Sequence, residues 1–398
     1  MIAAGIAIQR PADAKLLVVD SQGRITNARR SSFPNLLRFG DVVVANDAAT
    51  LPASLFGVHD PSGRPIEVRL AGSESVCPDA VKEFSAVVFG EGDYRTPTEL
   101  RPSPPGLRPG DTLQLGPLKA TVLRLIGHPR LVAIRFEDPP PRIWEGLARH
   151  GRPIQYSHIP MPLALWDTWT PLAGPPVAFE PPSAGFALDW RTIDAIRRRG
   201  VHVATITHAA GISSTGDEEL DARLPFDEPY RIPASTAKSI RMAWAVGGRV
   251  IAVGTTVVRA LEHSAFVHGS VRASTGIAVN KIGLGTSLRV VDAVLSGTHE
   301  PGTSHYNLLA AFVDEQILCK MDDVLQHDGY RTHEFGDSVF IEKTRVKCHL
   351  SGGNRSDFQL WMMDACGTDS NRRVAEIRDT LHSNRLVERL GYSCGRGL

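Results

Sequence analysis

Apolar residues in the first 143 positions come in short runs cut by Gly, Pro and Asp. LLVVD (16–20), GRIT (23–26) and DVVVAND (41–47) read as strands bounded by turn residues. From about Leu55 to Ile143 the runs are PIEVRL, FSAVVFG, DTLQLG, KATVLRLI and LVAIRF. They are β-rich and closely spaced, with no long helical period. That spacing predicts a small antiparallel barrel or sandwich. TPTELRPSPPGLRPGD (96–111) is a loop within it, and PPPR (139–142) marks its exit.

After Trp144 the period changes. RTIDAIRRRG (191–200) has the pattern of an amphipathic helix closed by Gly200, and VHVATIT (201–207) that of a strand. PASTAKSIRMAWAV (233–246) predicts a helix opened by Pro233 and stopped by Gly247–Gly248. VIAVGTTVVRALE (250–262) passes from four apolar residues through a glycine into a helical pattern. RVVDAVL (289–295), a helix near 305–327 and SVFIE (338–342) complete the series. Strand and helix alternate, so the expected fold is an α/β main domain with an inserted small antiparallel β-barrel domain. The expected limits are 1–57 and 144–343 for the main domain and 58–143 for the barrel. Residues 344–398 leave the pattern. They hold one helix candidate (371–390) and Cys348, Cys366 and Cys394. A structural C-terminal extension and appended coding sequence both fit that composition.

Composition narrows the class. Of 398 residues, 42% are hydrophobic and 22% charged, as in an ordinary globular protein. The net charge of +1 advertises no global field for nucleic acid, which leaves room for a local basic patch. Five Cys with no CxxC pair argue against a disulfide framework or a zinc site, and fit a reducing cytoplasm. MIAAGIAIQRP lacks a basic n-region, so no signal peptide is expected. No apolar run approaches the roughly 20 residues of a membrane span.

Candidate chemistry sits on the expected loops. Gly254 permits a tight strand-to-helix turn, and Thr255 or Thr256 can cap the helix. The helix start then offers N–H groups to an anion. The same residues suit an ordinary α/β junction. THAAGISSTGDEE (207–219) places His208 just past a strand, and PFDEPYRIP (225–233) places Glu228 and Tyr230 beside a Pro-bounded turn. SGTHEPGTSHYNLLAAF (296–312) carries His299 and His305, with Thr303 and Ser304 at a helix start. No HExxH or compact His/Cys set accompanies them. Tyr156, His158, Trp166 and Trp169 gather in IQYSHIPMPLALWDTWTP (154–171). They suit base stacking or a core equally well.

The order of these segments is more specific than any one of them. NLLRFGDVVVAND…LPASLFG (35–57), PPSAGF (181–186), GVHVATITH (200–208), DEPYRIP (227–233), GGRVIAVGTTVVRALE (247–262), RVVDAVLSGTHEPGTS (289–304) and YRTHEFGDSVFI (330–341) follow one another. Over about residues 16–343 the chain resembles the S-adenosylmethionine:tRNA ribosyltransferase-isomerases of queuosine biosynthesis. The resemblance implies an α/β domain with an inserted β-barrel. It also implies transfer and isomerisation of the ribosyl moiety of S-adenosylmethionine onto a 7-aminomethyl-7-deazaguanine base in tRNA. The product would be epoxyqueuosine, with adenine and methionine released. S-adenosylmethionine would then be a ribosyl-donor substrate, tRNA the partner and the cytoplasm the location, with no metal and no membrane.

That chemistry needs a base for a proton next to the sulfonium and an acid to help adenine leave. The resemblance puts Glu228, His208, His299 and Asp337 at catalytic positions. It puts Asn46, Asp47, Ser183, Gly185, Tyr230, Gly254, Thr255, Thr256, Arg259, Thr303, Ser304 and Arg331 at substrate-binding positions. Departures from the family pattern are specific. Ala187 and Phe226 stand where the family has His, and NDAATLPASL (46–55) lacks two family Arg. HEPGTS (299–304) and HAAGISS (208–214) replace other polar motifs, and a YPGY-like turn is missing from 276–289. Two alternatives stand beside the transferase. One is an S-adenosylmethionine-cleaving paralogue with another acceptor. The other is a catalytically silent RNA- or nucleoside-binding protein on the same scaffold.

Overall fold

The computed structural model of the protein describes residues 1–344, so the expected C-terminal extension, apart from Thr344, lies outside the described residues. The early strands are β1 (Lys15–Val19), β2 (Ile25–Arg29) and β3 (Val42–Asn46). Six more follow: β4 (Ser54–His59), β5 (Arg64–Gly72), β6 (Glu83–Phe89), β7 (Thr112–Leu115), β8 (Leu118–His128) and β9 (Leu131–Phe136). These six close into an antiparallel barrel in the order β8-β9-β6-β5-β4-β7. Alternate side chains point inward to an apolar core that includes Val68, Leu70, Ala86, Val88, Leu113 and Ile134. PPPR does not end in a loop: Pro140–His150 forms helix α1, with proline tolerated in its first turn.

The chain then builds α2 (Trp190–Arg198), β10 (His202–His208), β11 (Glu228–Ile232), α3 (Ala234–Ala245), β12 (Val250–Val253), α4 (Thr255–His268), β13 (Ser274–Ala278) and β14 (Ala293–Gly297). Helices α5 (Ser304–Leu309) and α6 (Glu315–His327) and strand β15 (Ser338–Glu342) complete the described part. A nine-stranded sheet runs β13-β11-β10-β3-β12-β14-β15-β1-β2. Its centre, β10-β3-β12-β14, is parallel. Both faces of this centre are covered, which is why β3 and β12 read as unbroken apolar runs. Val42, Val44, Val250 and Ala252 face one core and Val43, Ala45, Ile251 and Val253 the other, the period of two expected of strands.

Three local expectations are corrected. Residues 228–232 of the supposed turn form β11, paired with β10 and β13, so Glu228 and Tyr230 project from one strand face. The helix near 305–327 is two helices, because Asp314 caps α6 by accepting the Ile317 amide at 2.9 Å. RVVDAVL becomes strand only from Ala293, because the Glu262 carboxylate takes the amides of Arg289, Val290 and Val291 at 2.8, 2.9 and 2.9 Å.

At the amino end of the parallel strands Asp41 accepts the Arg249 amide and guanidinium, and Arg249 also pairs with Glu342. These ion pairs hold one end of the sheet and leave the other end for a site. The barrel closes where β4 meets β7, with Val58 opposite Gln114. A Cβ on Gly57 would sit 2.0 Å from the Gln114 carbonyl oxygen. Gly57→Ala therefore has to part the seam. It should lower stability by about 1–3 kcal/mol, the scale of overpacking, read as a shift of the urea midpoint.

Candidate active site

The parallel strands β10, β12 and β14 run to a common edge, where open α/β sheets collect ligands. An open cavity lies there. Each wall comes from the segment just past a strand. After β10 come Ala210, Gly211 and Ile212; after β12, Gly254, Thr255 and Thr256; after β14, His299. Glu228 and Arg259 close the floor, while Ser304, His305 and the Glu180–Ala184 segment complete the wall.

Gly254 has φ +97°, a conformation that side chains other than glycine rarely adopt, and it is the N-cap of α4. No side chain caps this helix, so neither Thr255 nor Thr256 plays the expected capping part. The uncapped helix start faces the cavity, where its amides favour an anionic group.

Glu228 is buried at the base of the cavity. Its Oε2 is in contact with Arg259 Nη1, and its Oε1 accepts the Gly211 amide at 2.6 Å. Burial raises its pKa, opposed by the Arg259 charge and the Gly211 amide. Arg259 is less free than a substrate-binding role suggests. Its remaining donors go to the carbonyls of Ala278 (2.8 Å), Phe226 (3.2 Å) and Asn280 (3.4 Å). His208 is enclosed and does not line the cavity, yet its Nε2 lies 3.5 Å from Glu228 Oε2. Neither ring nitrogen of His208 has a hydrogen-bond partner. Burial, then the Arg259 charge, hold its pKa well below the usual imidazole value, so the ring is neutral at neutral pH.

His299 and His305 stack with centroids 4.7 Å apart and planes 16° apart. His299 Nε2 lies 3.2 Å from the Ser296 hydroxyl. Burial and neighbouring imidazoles keep His299 well below its usual value, and burial with Arg259 pushes His305 to about 4. The cavity thus offers neutral imidazoles beside two carboxyls, Glu228 and Glu180. Glu180 and His305 lay outside the site residues expected from sequence. The signal for Glu180 was a lone acid between Phe179 and Pro181–Pro182, just ahead of SAGF.

Other expected site residues are placed elsewhere. Asp337 is fully enclosed and ties strand ends together: it accepts the amides of Lys15 and Arg331, both at 2.8 Å, and the Arg331 guanidinium. Asp337 and Arg331 therefore hold each other instead of lining the cavity. Asn46 brackets the backbone of His208, donating to its carbonyl and accepting its amide, each at 2.9 Å. Asp47 accepts the hydroxyls of Thr205 and Thr207, both at 2.7 Å. Tyr230 is buried against His263 at 3.0 Å. Thr303 caps α5. Gly185 lies in a 3-10 turn off the cavity, while its neighbour Ser183 lines it. Trp166 is exposed and Trp169 donates to the Thr50 carbonyl. His158, His333 and Glu334 bring potential ligand atoms within 4.8 Å of one another. The two rings are stacked at 4.2 Å and His158 already bonds Glu334, so we read no metal centre from them.

A family profile described as queuosine biosynthesis protein matches residues 2–341. The chain belongs to this family. An S-adenosylmethionine:tRNA ribosyltransferase-isomerase of Thermosynechococcus vestitus is 31% identical over 83% of this chain and 90% of the relative. One of Sorangium cellulosum is 30% identical over 82% and 92%. The solved structure of an S-adenosylmethionine tRNA ribosyltransferase from Thermotoga maritima aligns over 85% of this chain and 96% of that one, at 20% identity and a TM-score of 0.46.

Within this queuosine family member the Arg259–Glu228 pair is the buried joint between α4 and β11. Arg259→Ala leaves a buried carboxylate and three carbonyls without their donor. The variant should lose about 3–5 kcal/mol of stability, the scale for breaking a buried pair, measured by urea unfolding.

Proposed function

We propose that the protein is an S-adenosylmethionine-dependent tRNA ribosyltransferase-isomerase. The reading carries over the activity named for its relatives: the ribosyl moiety of S-adenosylmethionine goes to a 7-aminomethyl-7-deazaguanine base of tRNA, and adenine and methionine leave. The observation that carries it is the cavity wall. An uncapped helix start at Thr255–Thr256, a buried Glu228–Arg259 pair and two neutral imidazoles meet at the carboxyl ends of the parallel strands.

Each part has work in that reaction. The helix start suits the methionine carboxylate. Glu228 is the base for a C5′ proton that the adjacent sulfonium makes acidic. Burial keeps its pKa above the ordinary carboxylate value, which makes it a stronger base once ionised. Arg259 keeps an ionised Glu228 compensated. His208 stands behind Glu228, its Nε2 3.5 Å from Oε2, as a neutral ring that adds no charge to the pair. Phe226 at a family His position leaves Glu228 to act without that second imidazole. A tRNA substrate fits a cytoplasmic setting, and no described helix is long and apolar enough to cross a membrane.

The test is adenine release from S-adenosylmethionine with tRNA carrying the precursor base. Release that requires the tRNA supports the transferase. Release without tRNA points to the paralogue with another acceptor, and no release points to a silent binding protein. In the active case Glu228→Gln should slow turnover by about 10²-fold or more, the scale of a general base, while binding of S-adenosylmethionine changes little. An unchanged rate in a cooperatively folded variant removes Glu228 from the mechanism.

A further inference from the structure

Two carboxyls line the cavity, and their partners differ in kind. Glu228 is held by a guanidinium. Glu180 has no ion pair among the described residues. Its Oε1 accepts the Tyr156 hydroxyl and, at 3.1 Å, the Ser213 amide. Tyr156 is itself anchored: its hydroxyl oxygen accepts the Ser214 amide (3.3 Å) and lies 3.1 Å from the Ser214 carbonyl. With Oε1 occupied by donors, a proton on this carboxyl resides on Oε2. The arrangement is that of an oriented acid: the side chain is buried, its anchor is itself hydrogen-bonded and its residue borders the cavity.

We propose that Glu180, oriented by Tyr156, is the proton donor of this cavity and protonates the departing adenine. The proposal rests on the reading of the site given under Proposed function. As the ribosyl carbon–nitrogen bond breaks, its electron pair stays on adenine. Glu180 supplies a proton to an adenine ring nitrogen and becomes a carboxylate, which solvent reprotonates after the products leave. Glu228 takes the other role, because a paired guanidinium favours its ionised form. One cavity thus holds an acid and a base of the same residue type, separated by their partners.

The electrostatics agree with the geometry. Burial raises the Glu180 pKa to about 7, with the Glu334 charge acting in the same direction and the hydrogen bonds of Tyr156 and Ser213 opposing it. The other charged or titratable groups around it are Arg69 behind Tyr156, and Glu228, Arg259, His299 and His305 on the cavity. A carboxyl with this pKa is substantially protonated at neutral pH and can donate. Its activity is present below the pKa and lost as pH rises through it.

The experiment follows adenine release from S-adenosylmethionine and precursor tRNA between pH 5.5 and 9. The wild type should lose activity along an alkaline limb with a midpoint near 7. Glu180→Gln should abolish that limb and reduce turnover by about 10²-fold or more, with little change in binding of S-adenosylmethionine. Two neighbours should move the limb in opposite directions. Tyr156→Phe removes a bond that stabilises the carboxylate, so the midpoint rises; Glu334→Gln removes a repelling charge, so it falls. A limb that survives in Glu180→Gln, or that neither neighbour moves, overturns the proposal. The infrared difference between wild type and Glu180→Gln reads the same carboxyl without turnover. Its protonated band should fade with a midpoint near 7. A midpoint at the ordinary carboxylate value overturns the proposal directly. Absence of adenine release at every pH overturns the substrate reading and adenine as acceptor. In that case a midpoint near 7 still supports Glu180 as the cavity's proton donor.

Discussion

A guanidinium buried at the end of a parallel sheet must find acceptors, and Arg259 finds them on two chain segments. It bonds the Glu228 carboxylate and the carbonyls of Phe226, Ala278 and Asn280. Desolvating an unpaired charge there is costly enough that these segments have to converge on it. Helix α4 is thereby pinned to β11 and to the end of β13. Because α4 starts directly after β12, the same contact fixes where its uncapped end points. The cavity floor, the helix start and the catalytic candidate are set by one ion pair.

The rest of the sheet is tied at both ends. Asp41, Arg249 and Glu342 tie the amino ends of the parallel strands, and Asp337, beside the carboxyl end of β14, ties β1 to the chain entering β15. These clusters use the same charged residue types as the cavity, but their groups are fully engaged with one another. The cavity differs because donors and acceptors are left over. His208 has two unbonded ring nitrogens, and α4 has no capping side chain. Burial also keeps His208, His299 and His305 neutral, so the cavity and the ring behind it carry no fixed positive charge on their imidazoles.

The departures from the family pattern acquire a physical meaning here. Phe226 and Ala187 do not line the cavity, whose two carboxyls, Glu228 and Glu180, differ in their partners. Phe226 itself packs at the edge of the barrel core, and its carbonyl is an acceptor for Arg259. The Phe226 ring thus belongs to the barrel while its backbone serves the buried pair.

The amino-acid pattern by itself determined the strands of the barrel, the parallel α/β series and the turn at Gly254, because period, breakers and glycine act locally. The motif order determined the family. It also brought Glu228, His299, Thr255 and Thr256 into view as candidates, and these line one cavity. Tertiary structure alone decided which polar residues face that cavity and which are consumed by neighbours. Asp337 and Arg331 sit in a family motif, yet they are spent on each other. Glu180 stands out little in the sequence, and its importance comes from partners 24 and 33 residues away, Tyr156 and Ser213. The physical reason is range. Helix and strand periods are written in adjacent residues, whereas burial and charge pairing depend on atoms that only folding brings together.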